Sequence, residues 1–441
     1  MQNRILSISI VFFAIYLGSF AVLHNSAFAQ QEPAAKKTLI HCPDPAIIEP
    51  GPGKGYTVFS TGIGIPIWHS DDLLHWQRVG RVFPSDMPAW AKTAIPGARG
   101  IWAPDISYRK EKYWLYYAVS TFGSQRSAIG LAVNKTLDPA DKDYRWEDAG
   151  LVLDSAPGKT DFNAIDPALV LDREGRPYLF WGSFWTGIKA ARIDPETGKP
   201  AGEKMDVVPM AARAKGVDPP AIEAPFVIFH EGFYYLFVSW DSCCAGVKST
   251  YKVEVGRSES ILGPYLDWTG KPMLEGGGTL VAASTPRWRG PGHNSVLQSK
   301  SGDWLVLATN DVENVGLERL LQIRPLYWQA GWPISGRPLT APVLPGGMPG
   351  ERKTLSMAGR WSHFIDYAPP IALEFHADGT LEGANSKARW KLEGNALQLE
   401  WPDAKTSSGF RTEHLQLEPD GDGYVGRNER GQVILGSRTG M

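Results

Sequence analysis

The sequence predicts an all-β protein: a five-bladed β-propeller followed by a small C-terminal antiparallel β-barrel or sandwich. Three observations carry this. First, a block recurs five times, with an acid or histidine beside a proline or glycine, then an aromatic-rich apolar run, then a turn. Its markers are Asp44, Asp105, Asp166, Glu223 and His293, separated by 61, 61, 57 and 70 residues on subtracting those positions. Repetition at such a period marks a radial or stacked architecture, and about 60 residues suffices for a four-stranded blade. Second, the runs YTVFSTG, YWLYYAVS, PYLFWGS, YYLFVSW and WLVLATN are rich in Tyr, Trp, Phe and Val between turn residues, which favours strands over helices. Third, beyond the Gly- and Pro-rich stretch LPGGMPGERK the texture changes to short alternating strands joined by Asp-Gly, Gly-Asn and Arg-Gly turns.

Taken in order, residues 1–29 read as an export signal: Arg4 supplies positive charge, Ile5 to Val22 is apolar, and AFA ends at Ala29 as a small-residue cleavage pattern, with an uncleaved membrane anchor as the alternative for so long an apolar run. The polar stretch Gln30 to Lys37 is expected to be disordered. The propeller is expected over 38–345. Its first blade passes through Ile67 and HSDDLLHWQRVG, and the others span approximately Trp102 to Asp148, Asp166 to Val208, Glu223 to Met273 and His293 to Pro338. The segments Pro84 to Arg99 and Met210 to Pro220 lack periodicity and read as loops rimming a pocket. The small β domain is expected over 354–441, either as a support or as an ancillary carbohydrate-binding module.

Composition narrows the function. A net charge of -2 leaves no electrostatic footprint for nucleic acid or an anionic membrane. No segment after the leader is apolar enough to span a bilayer. The 17 Trp, 15 Tyr and 17 Phe serve blade packing, with a remainder suited to stacking against sugar rings. Three cysteines in an exported chain leave at least one unpaired. Adjacent Cys243 and Cys244 are awkward to join, so no disulfide framework is expected, and no Cys/His spacing resembles a zinc site.

A propeller delivers the first residues of its inner strands to one channel, and four of the five markers are carboxylates. Like charges held close resist joint ionisation. Glycoside hydrolysis uses that situation, with one carboxylic acid protonating the leaving oxygen while another, ionised, activates water.

At these residues the chain resembles glycoside hydrolase family 43, and within it the endo-1,5-α-L-arabinanases. The similar stretches are WAPDISYRKEKYWLYYAVSTFGSQRSAIGLA, NAIDPALVLDREGRPYLFWGSFWTGI, AIEAPFVIFHEGFYYLFVSWDSCCAGVKSTYKVEVGRS, GGGTL and GPGHNSVL. The resemblance implies inverting hydrolysis of α-1,5-linked arabinofuranose chains, with Asp44 as general base, Glu223 as general acid and an ionised Asp166 raising the pKa of Glu223. Base and acid would then stand about 6.5–9.5 Å apart. It further implies sugar contacts from Trp102, Phe122, Gly123, Asn163, Ser183, Phe184 and Trp185, and a calcium ion near His293 held largely through water. Asp105 and Arg257 read as structural in this family, Arg257 as a blade ion pair. The expected partner is plant cell-wall arabinan or arabino-oligosaccharide, met by an exported monomer, extracellular or periplasmic. The same triad would serve a β-xylosidase or α-L-arabinofuranosidase acting on side chains, and a non-catalytic sugar-binding propeller is the alternative from another class.

The chain departs from the family pattern in three places. HCPDP puts Cys42 and Pro43 between His41 and Asp44, Ala245-Gly246 stands where Arg-Gly is usual, and LATNDVEN replaces an aromatic-rich run in blade five.

Overall fold

The computed structural model describes residues 39–343 and 356–439, apart from 52, 203, 204, 384, 385 and 408, so the expected signal peptide and linker lie outside the described residues. The chain forms five four-stranded antiparallel sheets and one closed barrel. Blade one is β1 (Ala46–Ile48), β2 (Tyr56–Phe59), β3 (Pro66–Ser70) and β4 (Gln77–Arg81); blade two is β5 (Trp102–Arg109), β6 (Lys112–Val119), β7 (Ser127–Asn134) and β8 (Glu147–Ser155). Blade three is β9 (Ala168–Leu171), β10 (Pro177–Trp181), β11 (Ile188–Arg192) and β12 (Val208–Ala211). Blade four is β13 (Ile222–His230), β14 (Phe233–Trp240), β15 (Lys252–Ser258) and β16 (Thr279–Ala282), and blade five is β17 (Trp288–Ser299), β18 (Gly302–Asp311), β19 (Leu320–Gln329) and β20 (Trp332–Ser335).

Blade four thus runs beyond Met273. Gly276, at φ 77°, turns the chain, and a Cβ on Gly277 would stand 2.3 Å from Lys271 O, so the glycine run is what brings the outer strand home. The segment expected to be an aperiodic loop over Pro84 to Arg99 contains a short helix, α1 (Ala89–Ala94).

The aromatic runs are second strands, buried on both faces because each sheet is packed between two others; in β6 all residues after Lys112 are buried. Five apolar clusters fill the five gaps between neighbouring blades. The last joins Ile40, Cys42, Val58 and Trp76 to Trp304, Val306 and Ile323, so blade five packs on blade one without sharing a strand. Cys42 N donating to Arg319 O (2.9 Å) and Ser295 Oγ to Pro45 O (2.7 Å) complete the closure.

The C-terminal domain is a closed eight-stranded barrel from β21 (Gly359–Ile365) to β28 (Val433–Arg438), with β21 paired to both β22 (Ile371–Phe375) and β28. Closure decides between barrel and sandwich and leaves no free edge. Trp361, Phe375, Leu399 and Tyr424 fill it. Arg427 ties it to the propeller, donating to Leu280 O (2.6 Å) and Pro333 O (2.8 Å).

Candidate active site

Each inner strand has a residue with left-handed backbone just before it or at a register shift near its channel end: Asp44 (φ 54°) and Asp166 (56°) precede β1 and β9, and Ala103 (43°), Ala224 (55°) and His293 (47°) lie at shifts within β5, β13 and β17. In the first four a proline follows. Such a conformation costs a non-glycine residue about 1–3 kcal/mol and persists where surrounding structure over-determines it. In three of them the residue's own backbone N–H supplies part of that constraint. Ala103 N donates to Thr61 Oγ1 (2.7 Å), Ala224 N to Asp166 Oδ2 (3.0 Å) and His293 N to Ser239 Oγ (2.8 Å), each acceptor belonging to the preceding blade.

This entry residue is the structural repeat, which corrects the register drawn from the acids. Asp105 lies two residues beyond it and Glu223 one before it. Asp105 is buried and accepts from Leu169 N (2.8 Å) across the interface of blades two and three, the structural role expected of it. Burial pushes its carboxyl up to about 7.

Asp44 Oδ2 accepts from Thr61 Oγ1 (2.5 Å), and its Oδ1 stands 3.2 Å from His293 Nδ1. Glu223 is held separately: Oε2 accepts from Ser183 Oγ (2.7 Å) and Oε1 from Tyr251 OH (2.6 Å). Ser183 pairs with Glu223 as an isolated β-bridge, and Phe184 N donates to Ile222 O (2.8 Å), so the SFW segment of blade three is stitched to the start of blade four. Burial raises Asp166 to about 7; His293 opposes the rise while Glu223 and Asp44 add to it. Against the expectation of an ionised Asp166, a carboxyl raised this far is only partly ionised near neutral pH. Burial works against a charge on His293, yet Asp44, Asp166 and Glu223 outweigh it and raise its pKa above the usual value.

The other expected site residues fall on the loops and strand ends of the same face. Asn163 is buried, its Oδ1 accepting from Ser127 Oγ (2.6 Å). Phe184 (φ 53°) and Trp185 (φ 42°) are consecutive left-handed residues, and Trp185 is 39% exposed. Phe122, 85% exposed, and Gly123 form the tip between β6 and β7, and Trp102 immediately precedes the entry residue Ala103.

Thr61, Ser239 and Tyr251 carry site contacts that sequence reasoning assigned to no role. A signal existed for the first two: a hydroxyl residue closes each aromatic run, at Ser60-Thr61, Ser120-Thr121, Ser183, Ser239 and Thr309. Tyr251 stands within the CC-G-STY motif and is fixed by packing, because a Cβ on Gly292 would meet its ring at 2.2 Å.

Two further expectations change. Cys243 and Cys244 are joined in a disulfide on the loop that ends at Tyr251, leaving buried Cys42 as the free thiol. Arg257 makes no ion pair among the described residues; its guanidinium lies 4.6 Å from the centroids of both Phe233 and Trp332 and donates to Gly331 O.

The donor set for a metal is sparse. Among the described residues no group of three His, Cys, Asp or Glu side chains could hold an ion. His293 Nδ1 faces the Asp44 carboxylate, so a calcium ion near it would draw most of its oxygen ligands from groups other than acidic side chains, ordered water among them.

The sequence model of the glycosyl hydrolases family 43 matches residues 40–333. An extracellular exo-α-(1→5)-L-arabinofuranosidase of Cellvibrio japonicus is 42% identical over 68% of this chain and 87% of its own length. The extracellular endo-α-(1→5)-L-arabinanase 1 of Bacillus subtilis is 39% identical over 72% of this chain and 96% of its own. Among solved structures, a Cellvibrio cellulosa α-L-arabinanase complexed with arabinohexaose is 40% identical, with TM-score 0.64 over 68% of this chain and 96% of that one. An endo-1,5-α-L-arabinanase from Thermotoga petrophila, 21% identical with TM-score 0.73, covers 91% of this chain and 99% of that one, a likeness of fold that extends over most of the chain.

Proposed function

The chain belongs to glycosyl hydrolase family 43 and is a glycoside hydrolase, and on that premise we propose that it hydrolyses the α-1,5-linked L-arabinofuranose chains of arabinan with inversion. The observation that carries this reading is the separation of partners: Glu223 is gripped by Ser183 and Tyr251, Asp44 by Thr61 and His293. Two carboxylates on different blades, each with its own supports, can take different protonation roles.

In the proposed reaction Asp44 removes a proton from a water as its oxygen attacks the anomeric carbon. Glu223 delivers a proton to the departing glycosidic oxygen as the C–O bond breaks. Ser183 and Tyr251 aim the Glu223 carboxyl, and either hydroxyl can reverse its hydrogen bond as the carboxyl gains or loses its proton. Asp166 anchors the entry to blade four through Ala224 N beside the acid. Trp102, Phe122, Gly123, Asn163, Phe184 and Trp185 are the proposed sugar contacts. Calcium, held through ordered water near His293, would add positive charge to the channel.

Export as a monomer, to the periplasm or the medium, belongs to the same proposal. It is supported by the amino-terminal pattern and by relatives named extracellular. No helix among the described residues is long and apolar enough to cross a membrane.

The test is a time course on debranched linear α-1,5-arabinan, reading viscosity, product length and product anomer together. Inverted product is expected; a fast viscosity fall with mixed oligosaccharides marks internal attack, and a slow fall with one short product marks attack from an end. The absence of any product from this polymer would refute the reading.

A further inference from the structure

A cavity of about 230 Å³ lies between blade five and the barrel. It is lined by Tyr327 and Trp328 of β19 on one side and by Asn395, His414 and Gln416 of the barrel on the other. It sits on the outer two strands of its blade, whereas the catalytic carboxylates stand at inner-strand entries, so it is separate from the active site.

The cavity is preformed. The Trp328 ring is stacked on His230, with centroids 3.6 Å apart and planes 5° from parallel, and its Nε1 donates to Asp303 Oδ2 (2.8 Å). Gln329 bridges the two domains: its Nε2 donates to His414 O (2.7 Å) and its Oε1 accepts from Arg427 N (2.7 Å). An occupant therefore meets walls already fixed, which lowers the ordering cost of binding.

The lining selects the ligand. It contains no Asp, Glu, Lys or Arg, so nothing in it compensates an anion or a cation, while amide and imidazole groups beside aromatic and aliphatic surface match a neutral polyhydroxyl ring. The space is several times the roughly 30 Å³ share of one water, enough for a pentose. We propose that this cavity is a second, non-catalytic binding site for a furanosyl unit of the same neutral polysaccharide, an inference that rests on the arabinan reading above. It gives the barrel a function: holding the polymer on the enzyme while the propeller cuts it.

The experiment uses the full chain carrying Glu223→Ala, with linear arabinohexaose as probe and cellohexaose as control, read by hydrogen exchange. Arabinohexaose is expected to protect amides at 327–329, 395–396 and 414–416 in addition to the active cleft. A His414→Ala, Gln416→Ala pair added to that background is expected to erase the junction protection and to weaken retardation by linear arabinan in a native gel about tenfold, the worth of one or two hydrogen bonds. Neither side chain carries the Gln329 bridge, which uses the His414 carbonyl, and an unchanged melting midpoint checks the fold. Protection confined to the cleft, or equal protection by cellohexaose, overturns the proposal. Protection at neither place overturns it together with the functional reading, whereas junction protection in a chain whose wild type cleaves no arabinan overturns the functional reading alone.

Discussion

The propeller channel and the barrel interior each hold a histidine beside a carboxylate, and they shift the histidine's pKa in opposite directions. In the channel His293 stands 3.2 Å from Asp44, and three carboxylates raise its pKa in spite of burial. Inside the barrel His363 stands 3.7 Å from Glu413, and its pKa is lowered to about 4 by burial, with Arg411 adding to the effect. Burial likewise raises Glu413, with Trp401 and Arg411 opposing the rise. The surrounding charges decide the difference: three carboxylates outweigh desolvation at His293, whereas the Arg411 cation adds to it at His363. Access matters as well, since the side chains of Asp44 and His293 keep 21% and 17% exposure while those of Glu413 and His363 keep 0% and 2%. The channel pair keeps a path to water, whereas the barrel pair is sealed in a core, where it specifies packing.

The strongest way to break this comparison is to exchange the roles of its two glutamates. Glu223→Ala is expected to lower kcat about 10²–10⁴-fold with the melting midpoint retained. Glu413→Leu is expected to leave kcat on short arabino-oligosaccharides unchanged and to shift only stability. Near-normal turnover in the first variant, or a large kcat loss in the second, would erase the functional distinction.

A smaller effect is expected at Tyr251. Tyr251→Phe removes one of the two hydroxyls on Glu223 and should lower kcat about tenfold, the scale of one hydrogen bond to an ionisable group. KM should stay near its wild-type value, because the hydroxyl is occupied by the acid rather than by substrate. An altered KM at constant kcat would place the tyrosine in sugar binding instead.

The mildest test sharpens the comparison through pH. His363 falls from an ordinary 6.5 to about 4, so the stability it contributes is present above 6.5 and is lost as pH falls through about 4. Asp166 rises from 3.8 to about 7, so its contribution is present below 3.8 and is lost as pH rises through about 7. Melting midpoints across pH should therefore fall on both sides, with His363→Leu flattening the acid limb and Asp166→Asn the alkaline one. His363→Leu should also cost about 1–3 kcal/mol, because the Tyr424 hydroxyl, 2.9 Å from His363 Nδ1, loses its partner. Limbs unaffected by these changes would assign the pH dependence to other groups.

Much of the blade architecture was legible because its cause is local. Alternation, β-branched and aromatic runs and turn residues act within a few positions, so the runs from YTVFSTG to WLVLATN locate the second strands, and the Asp-Gly and Gly-Asn turns locate the barrel hairpins. The acids Asp44, Asp166 and Glu223 were legible for a related reason: Pro and neighbouring apolar residues fix where an inner strand begins. Other features depend on residues far apart in sequence. The left-handed entry that aligns Ala103 and Ala224 with Asp44, Asp166 and His293 is held by acceptors 42 to 58 residues away in the preceding blade. Closure of the barrel rests on β21 meeting β28, and the Tyr251 and Ser183 grip on Glu223 comes from three different loops and strands. Local sequence fixes which segments become strands, because backbone propensity and burial pattern are short-range. Which oxygen of which carboxylate meets which hydroxyl, and which way each histidine's pKa moves, are set by distances and desolvation that exist only once the blades have packed.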